Sequence, residues 1–213
     1  DIYIGNDFHE NDYIYLNNKN GSFTESSKSL VNHTTRFTMG VDMADMNNDG
    51  RLDIFTTDMM PYDAEVFLKS GGEDSDKISQ IKDRYGFEAQ LARNHLQVNN
   101  GNDTFVDLAL MTETYATDWS WGVLLADFDN DGDQDLFIGG RVLPNEYPLS
   151  PTSYLLENDG KGFFKEVTDR IAPSLKNIGM ITDADWTDYN NDGFLDIFVA
   201  NANLALPYAE VNY

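Results

Sequence analysis

One acidic loop occurs three times in this chain, and no other feature limits the fold so strongly. The stretch Ala44-Asp45-Met46-Asn47-Asn48-Asp49-Gly50-Arg51-Leu52-Asp53-Ile54-Phe55 returns at 126–137 and again at 187–198. Each copy reads D-x-(D/N)-x-D-G-x-x-D followed by two apolar residues. A weaker element precedes each loop: Tyr15-Leu16-Asn17-Asn18 to Phe23, Leu96-Gln97-Val98-Asn99-Asn100 to Phe105, and Tyr154-Leu155-Leu156-Glu157-Asn158 to Phe164. The separation is 28 residues from Asn17 to Asp45, 28 from Asn99 to Asp127 and 30 from Asn158 to Asp188. Two motifs that keep one separation three times mark a repeat architecture.

The spacing carries the chemistry. Side chains at loop positions 1, 3 and 5 can turn to one concave face while the chain curls around an ion. Position 6 is Gly in every copy (Gly50, Gly132, Gly193), as a sharp turn with positive φ requires. Position 7 can offer its backbone carbonyl, so its side chain varies freely as Arg51, Asp133 and Phe194. Position 9 adds a further carboxylate. The expected ligands are Asp45, Asn47, Asp49 and Asp53 with the Arg51 carbonyl, and Asp127, Asp129, Asp131 and Asp135 with that of Asp133. The third set is Asp188, Asn190, Asp192 and Asp196 with the carbonyl of Phe194. Oxygen-only donors on a flexible loop suit Ca²⁺ better than the small octahedral Mg²⁺, and the loops contain no His or Cys for zinc or copper. Three calcium sites are expected, the middle one tightest because it has four carboxylates where the others have three and an amide.

An EF-hand loop begins the same way but needs a bidentate Glu at position 12, where Thr56, Ile138 and Val199 stand. The flanks are rich in branched and aromatic residues without a helical period, so each loop should join two strands. Strands are expected near 13–17, 39–45, 51–57, 94–99, 104–108, 121–127, 134–139, 153–157, 163–167, 179–186 and 194–200. The repeats run at approximately 11–57, 93–139 and 153–200, with an insertion at 58–92. Within the insertion, Gly71-Gly72 reads as a hinge or turn, and Ser75-Asp76 as the cap of a helix through Ile78, Ile81 and Tyr85. The fold class is all-β. Four antiparallel strands per repeat is the unit of a β-propeller blade, so residues 1–213 read as part of a larger propeller. Asp1-Ile2-Tyr3-Ile4 matches the tail of a further copy, with Asp1 at the place of Asp53, and the run after Phe198 completes no other loop. An excerpt of a longer array is expected, with unpaired repeat surfaces at both ends.

Charge excludes some partners. With 37 acidic against 14 basic side chains, the net charge of −23 opposes nucleic acid and anionic lipid. Three calcium ions would lower it only to −17 (−23 plus three times two), and the remainder favours solubility. No apolar run is long enough to span a membrane, and no basic-then-apolar signal segment opens the sequence. Cysteine is absent, so neither disulfides nor thiol nucleophiles arise.

The loops and the L-x-N-N…F element resemble FG-GAP/VCBS repeats, the calcium-loaded blades of integrin α-subunit propellers and of many bacterial surface proteins. More narrowly, Arg93-Asn94-His95-Leu96-Gln97 and Ala116-Thr117-Asp118-Trp119-Ser120-Trp121-Gly122 resemble secreted VCBS-repeat proteins of the ASPIC/UnbV type, abundant in Bacteroidota. The resemblance implies a propeller, usually of seven blades, at the extracellular or outer-membrane surface of a Gram-negative bacterium. It also implies calcium at the loop positions above. Some relatives are encoded beside SusC/SusD-like nutrient-uptake systems, which makes such a complex an implied partner.

The remaining residues point to binding rather than catalysis. Trp119, Trp121 and Trp186 enter the acidic loops at related positions, which favours packing between repeats over a sugar platform. Tyr62, Tyr85, Phe87 and Tyr147 lie outside the repeating segments and suit ligand contact better. His9, His33 and His95 stand far apart, and no G-x-S-x-G elbow accompanies them. The sequons Asn32-His33-Thr34 and Asn102-Asp103-Thr104 read as incidental in a bacterial protein. The expected function is therefore a noncatalytic calcium-binding module that engages a protein or glycan partner. The alternatives are a polysaccharide-active enzyme with its site in the insertions, or a lectin; propellers host all three.

Overall fold

The apolar alternation produces strands close to where the sequence places them. The computed structural model describes residues 1–70, 75–143, 146–147 and 149–202. The first sheet contains β1 (Ile2–Ile4), β2 (Tyr13–Asn17) and β3 (Phe23–Glu25), followed by the short helix α1 (Ser27–Leu30). After β4 (Thr34–Thr35) comes the second sheet, whose first strands are β5 (Gly40–Ala44) and β6 (Asp53–Thr57). The insertion then supplies α2 (Ala64–Ser70), α3 (Asp76–Tyr85) and β7 (Gln90–Leu91), which pairs in parallel with β4. Strands β8 (His95–Asn99) and β9 (Phe105–Asp107) complete the second sheet in the order β5-β6-β8-β9.

The third sheet has the same order: β10 (Trp119–Ala126), β11 (Asp135–Val142), β12 (Tyr154–Asn158) and β13 (Phe164–Glu166). A short helix α4 (Thr168–Ile171) and a 3-10 turn (Pro173–Asn177) lead to β14 (Ile181–Thr187) and β15 (Asp196–Asn201), which pair with each other. Within each of these four sheets all pairs are antiparallel. The chain is thus all-β with few helices.

The sheets and the sequence periods are out of phase. The periods place each L-x-N-N element ahead of its acidic loop, yet β6 pairs with β8 through Ile54↔Gln97, and β11 with β12 through Leu136↔Leu156. The second and third sheets therefore start with the strand entering a loop and end with the L-x-N-N hairpin that follows it. The near-constant separation spans the crossing from one sheet to the next. The variable separation lies inside a sheet, and the insertion sits there, between β6 and β8.

Apolar side chains fill the spaces between successive sheets. Ile14, Leu30, Val31 and Ile54 are buried between the first two. Met46, Phe55, Leu96, Val98, Val123, Leu136 and Ile138 lie between the second and third, and Phe137, Leu155, Leu175, Ile181 and Ala184 between the third and fourth. Strand β10 packs between β5 and β14, so the leading strands line up along one side of the stack. Gly40 fits this approach because a Cβ there would lie 2.4 Å from the Trp121 carbonyl oxygen. Trp186 serves packing as expected, stacked 6.0 Å from Phe128 and edge-on to Phe137 at 6.4 Å. Trp121 differs: it is exposed, with the Arg141 guanidinium 4.7 Å from its ring centroid.

In the insertion, α3 starts after Ser75 as the sequence indicates, but the Ser75 side chain makes no capping hydrogen bond. Gly86 ends the helix in the left-handed region, at φ 76°. No residue of α3 is buried, so the apolar Ile78 and Ile81 remain exposed. Gly71-Gly72 lies outside the described residues, as do Asn203 to Tyr213 beyond the last strand.

Candidate metal centre

The three acidic loops are built alike, bond for bond. Each joins two antiparallel strands with one register: Ala44↔Asp53, Ala126↔Asp135 and Thr187↔Asp196. Strands, not helices, flank them, which sets them apart from EF-hands. The first Asp caps the turn with both oxygens. Asp45 Oδ1 accepts the Asp49 N–H (3.0 Å) and Oδ2 the Gly50 N–H (2.7 Å). Asp127 accepts from Asp131 and Gly132, each at 3.0 Å, and Asp188 from Asp192 and Gly193, also at 3.0 Å. Position 3 receives a second bond from the same donor: Asn47 from Asp49 (3.1 Å), Asp129 from Asp131 (3.2 Å) and Asn190 from Asp192 (2.9 Å). Position 5 accepts from position 7: Asp49 from the Arg51 N–H, Asp131 from that of Asp133, and Asp192 from that of Phe194.

Two positive-φ residues make this turn possible. Gly50, Gly132 and Gly193 have φ of 85°, 99° and 89°, while Asn48, Asn130 and Asn191 at position 4 have 58°, 62° and 60°. Asn tolerates this region better than most residues. Its presence at position 4 in all three copies was the readable signal for a role the sequence analysis left unassigned. Two of these asparagines also reach the neighbouring loop. Asn48 Nδ2 donates to Asp133, and Asn130 Nδ2 to the Gly193 carbonyl at 3.1 Å.

Position 9 connects the two repeat motifs. Asp53 Oδ2 accepts the Met46 N–H (3.0 Å) and Oδ1 the Asn99 N–H (2.8 Å). Asp135 does the same with Phe128 (3.2 Å) and Asn158 (2.9 Å). Asp1 accepts from Asn17 at 2.8 Å, which places it as the equivalent of Asp53. Asp196 accepts from Tyr189 at 3.0 Å. Asp53 and Asp135 are fully buried, whereas Asp196 is exposed.

A carboxylate has about four acceptor sites, so these backbone bonds leave lone pairs free. In the middle loop one oxygen from each of Asp127, Asp129 and Asp135 lies within 4.8 Å of the others. Burial, opposed by the backbone donors and aided by Asp129 and Asp131, pushes Asp135 up to about 6. Burial likewise raises Asp53 and Asp129, with the neighbouring carboxylates adding to it. Such crowding of hard oxygens is the donor set a calcium ion neutralises. The side chain at position 7 is not a bystander in the first loop, where the Arg51 guanidinium pairs with Asp49. In the third, Asn190 Nδ2 donates to Asp192 at 3.0 Å.

The raised carboxylates have a pH consequence for chelator-treated protein. A native pKa above the unfolded one means the native state holds its proton longer. Stability from that proton is complete below about pH 4 and is lost as pH rises through about 6 for Asp135. The melting midpoint in EDTA should therefore contain a component that falls across pH 4–6 in wild type and is smaller in Asp135→Asn. An identical pH slope in the two proteins would remove this assignment.

The fold also gathers side chains that the sequence leaves far apart. His33 Nε2 lies 3.0 Å from Asp107 Oδ2, His95 Nε2 lies 3.7 Å from it, and Arg93 Nη2 lies 2.7 Å from it. Burial pushes His95 down to about 3, against the pull of Asp107, so it is neutral. Next to it, the buried Asn94 accepts from the Asp58 N–H and donates to the Thr114 carbonyl and Thr117 hydroxyl, joining the second sheet to the approach of β10. Tyr62, Tyr85, Phe87 and Tyr147 are all exposed.

Stacked antiparallel sheets, each led by an acidic hairpin or its equivalent, define an all-β repeat protein. The sequence matches the FG-GAP-like repeat family over residues 1–56 and 85–138, more than half its length. The chain belongs to that family, whose fold is of the noncatalytic, extracellular binding kind. The unmatched 57–84 covers most of the insertion. The third loop lies beyond the match yet repeats the same bonds. No curated protein matches the sequence at a significant level.

Proposed function

We propose that the chain is part of a calcium-stabilised β-propeller that acts as a noncatalytic binding module at a bacterial cell surface. The supporting observation is the threefold identity of the acidic hairpins: one register, one set of backbone bonds, and in the middle loop three converging carboxylates. When bound, calcium would offset carboxylate repulsion. The holders would be Asp45, Asn47, Asp49 and Asp53, Asp127, Asp129, Asp131 and Asp135, and Asp188, Asn190, Asp192 and Asp196. The carbonyls of Arg51, Asp133 and Phe194 would join them. The chain's own bonds prepare these cages, because backbone N–H groups already orient the carboxylates at positions 1, 5 and 9.

In this reading each four-stranded sheet is a blade, with its leading strand toward the propeller axis. The partner is a protein or a glycan, and the setting is the outer surface, as an accessory of a SusC/SusD-like uptake complex. The insertion supports this role, since α3 presents Ile78, Ile81 and Tyr85 to solvent without burying them. Glycan-array and protein-binding profiles measured with calcium and with EDTA test the proposal. Calcium-dependent capture of one glycan or protein class is expected. Turnover of a polysaccharide by the purified chain would overturn the noncatalytic assignment.

A further inference from the structure

The second sheet departs from the repeat in two residues that face each other. Four residues before the Asn that meets the loop's last Asp, the first and third sheets have Tyr13 and Tyr154, whereas the second has His95. At the end of the last strand of the first and third sheets, Glu25 and Glu166 each accept the N–H two residues on, at 2.7 and 2.8 Å. Asp107 does this in the second sheet, accepting from Ala109 at 3.0 Å, but its other oxygen turns toward His95. The segment just before β4 then brings a third group, His33, whose ring centroid lies 4.9 Å from that of His95.

The three side chains are held from behind. Thr35 Oγ1 lies 2.8 Å from His95 Nδ1. Gln97 Nε2 donates to the His33 carbonyl at 3.1 Å. Asp107 Oδ1 accepts from Leu96 and Ala109, and Oδ2 takes Arg93 on one side. With Nδ1 engaged by Thr35 Oγ1, His95 turns its Nε2 toward Asp107 and His33. That atom is buried, in a side chain only 1% exposed, and has no hydrogen-bond partner. A buried polar atom left unpaired is costly, and it invites an explanation. One ligand atom from each of His33, His95 and Asp107 lies within 4.8 Å of the others. Zn–N and Zn–O bonds of about 2.0–2.1 Å put tetrahedral ligands about 3.3 Å apart, and the distances to Asp107 Oδ2, 3.0 and 3.7 Å, bracket that edge.

We propose that His33, His95 and Asp107 form a second kind of metal site, for a first-row divalent transition metal such as Zn²⁺. Two imidazole nitrogens select such an ion over calcium, which prefers oxygen. Thr35, Gln97 and Arg93 act as positioning residues, the usual companions of metal-bound imidazole and carboxylate. His33, 22% exposed, opens the site to solvent, and a water would complete the fourth position. The ion would tie the segment before β4 to the second sheet, giving this sheet a clasp that the first and third lack.

Zinc titration of the full chain in excess calcium, which occupies the acidic loops, tests the proposal. Calorimetry should register one zinc equivalent that calcium does not displace. His33→Ala, the most exposed ligand, should weaken it about 100-fold, and Asp107→Asn at least 10-fold. The imidazole resonances of His33 and His95 should move in the NMR spectrum while those of His9 stay. The absence of a calcium-resistant equivalent, or one that survives His33→Ala and Asp107→Asn within threefold, would overturn it. Neither result bears on whether the acidic loops hold calcium.

Discussion

Calcium should raise the melting midpoint of this chain by roughly 15–30 °C over its value in EDTA. The size follows from linkage: an ion that binds only the folded state at 100 times its Kd adds about 2.7 kcal/mol. Three independent loops sum to about 8 kcal/mol, and a chain of this length shifts by about 2–4 °C for each kcal/mol. Independence is the strong assumption, because Asn48 and Asn130 bond across to adjacent loops. Coupling through those bonds would change how the sites fill and leave the total large. Scanning calorimetry at several calcium concentrations checks the effect, and equal midpoints with and without chelator would defeat it.

The second large effect separates two kinds of aspartate in one loop. Asp135 is buried and accepts two backbone N–H groups, from Phe128 and Asn158, which come from different hairpins. Asp135→Ala leaves both donors without their acceptor, at about 1–3 kcal/mol each, and removes a cage ligand as well. It should destabilise the protein by about 2–6 kcal/mol even in EDTA. Asp131 is exposed and, among the described residues, accepts the Asp133 N–H alone, at 2.9 Å. Asp131→Ala should melt close to wild type in EDTA and lose about one site's share, about 2.7 kcal/mol, when calcium is present. Denaturant unfolding of both variants, with and without calcium, gives the four numbers required. If the two variants were equally damaged in EDTA, the division between anchoring and cage carboxylates would fail.

Much of this architecture is readable in the sequence because the loops fix it locally. Position 6 glycine, position 9 aspartate and the branched residues after it suffice to place β5–β6, β10–β11 and β14–β15 to within three residues. The grouping of strands into sheets is not readable in the same way. It depends on which edge β6 offers to which partner, and the constant separation of the motifs belongs to the crossing between sheets. The helix α2 and the strand pair β4–β7 are not legible in the sequence because seven- and two-residue elements carry almost no periodic signal. The cap predicted at Ser75 fails as a hydrogen bond although the helix begins there, since a start signal fixes position and not side-chain direction.

The histidines show the limit most clearly. His33 and Asp107 stand 74 residues apart, and His33 meets the second sheet from the segment before β4, through Asp107 and Gln97. No spacing rule anticipates a site assembled from the start of one strand, the end of another and a connecting segment. A comparison of repeats does carry a trace of it, in the His95 that replaces Tyr13 and Tyr154. The F-x-acid endings of the last strands of the first three sheets, Glu25, Asp107 and Glu166, are equally visible and gain meaning only once each is seen to bond the turn that follows it.

The central claim is that the three aspartate hairpins are calcium cages. An anomalous difference map from calcium-soaked crystals of the chain tests it most directly. The account predicts a peak inside each of the loops 45–53, 127–135 and 188–196, ringed by carboxylate, amide and position 7 carbonyl oxygens. Flat density in all three loops at saturating calcium would contradict it.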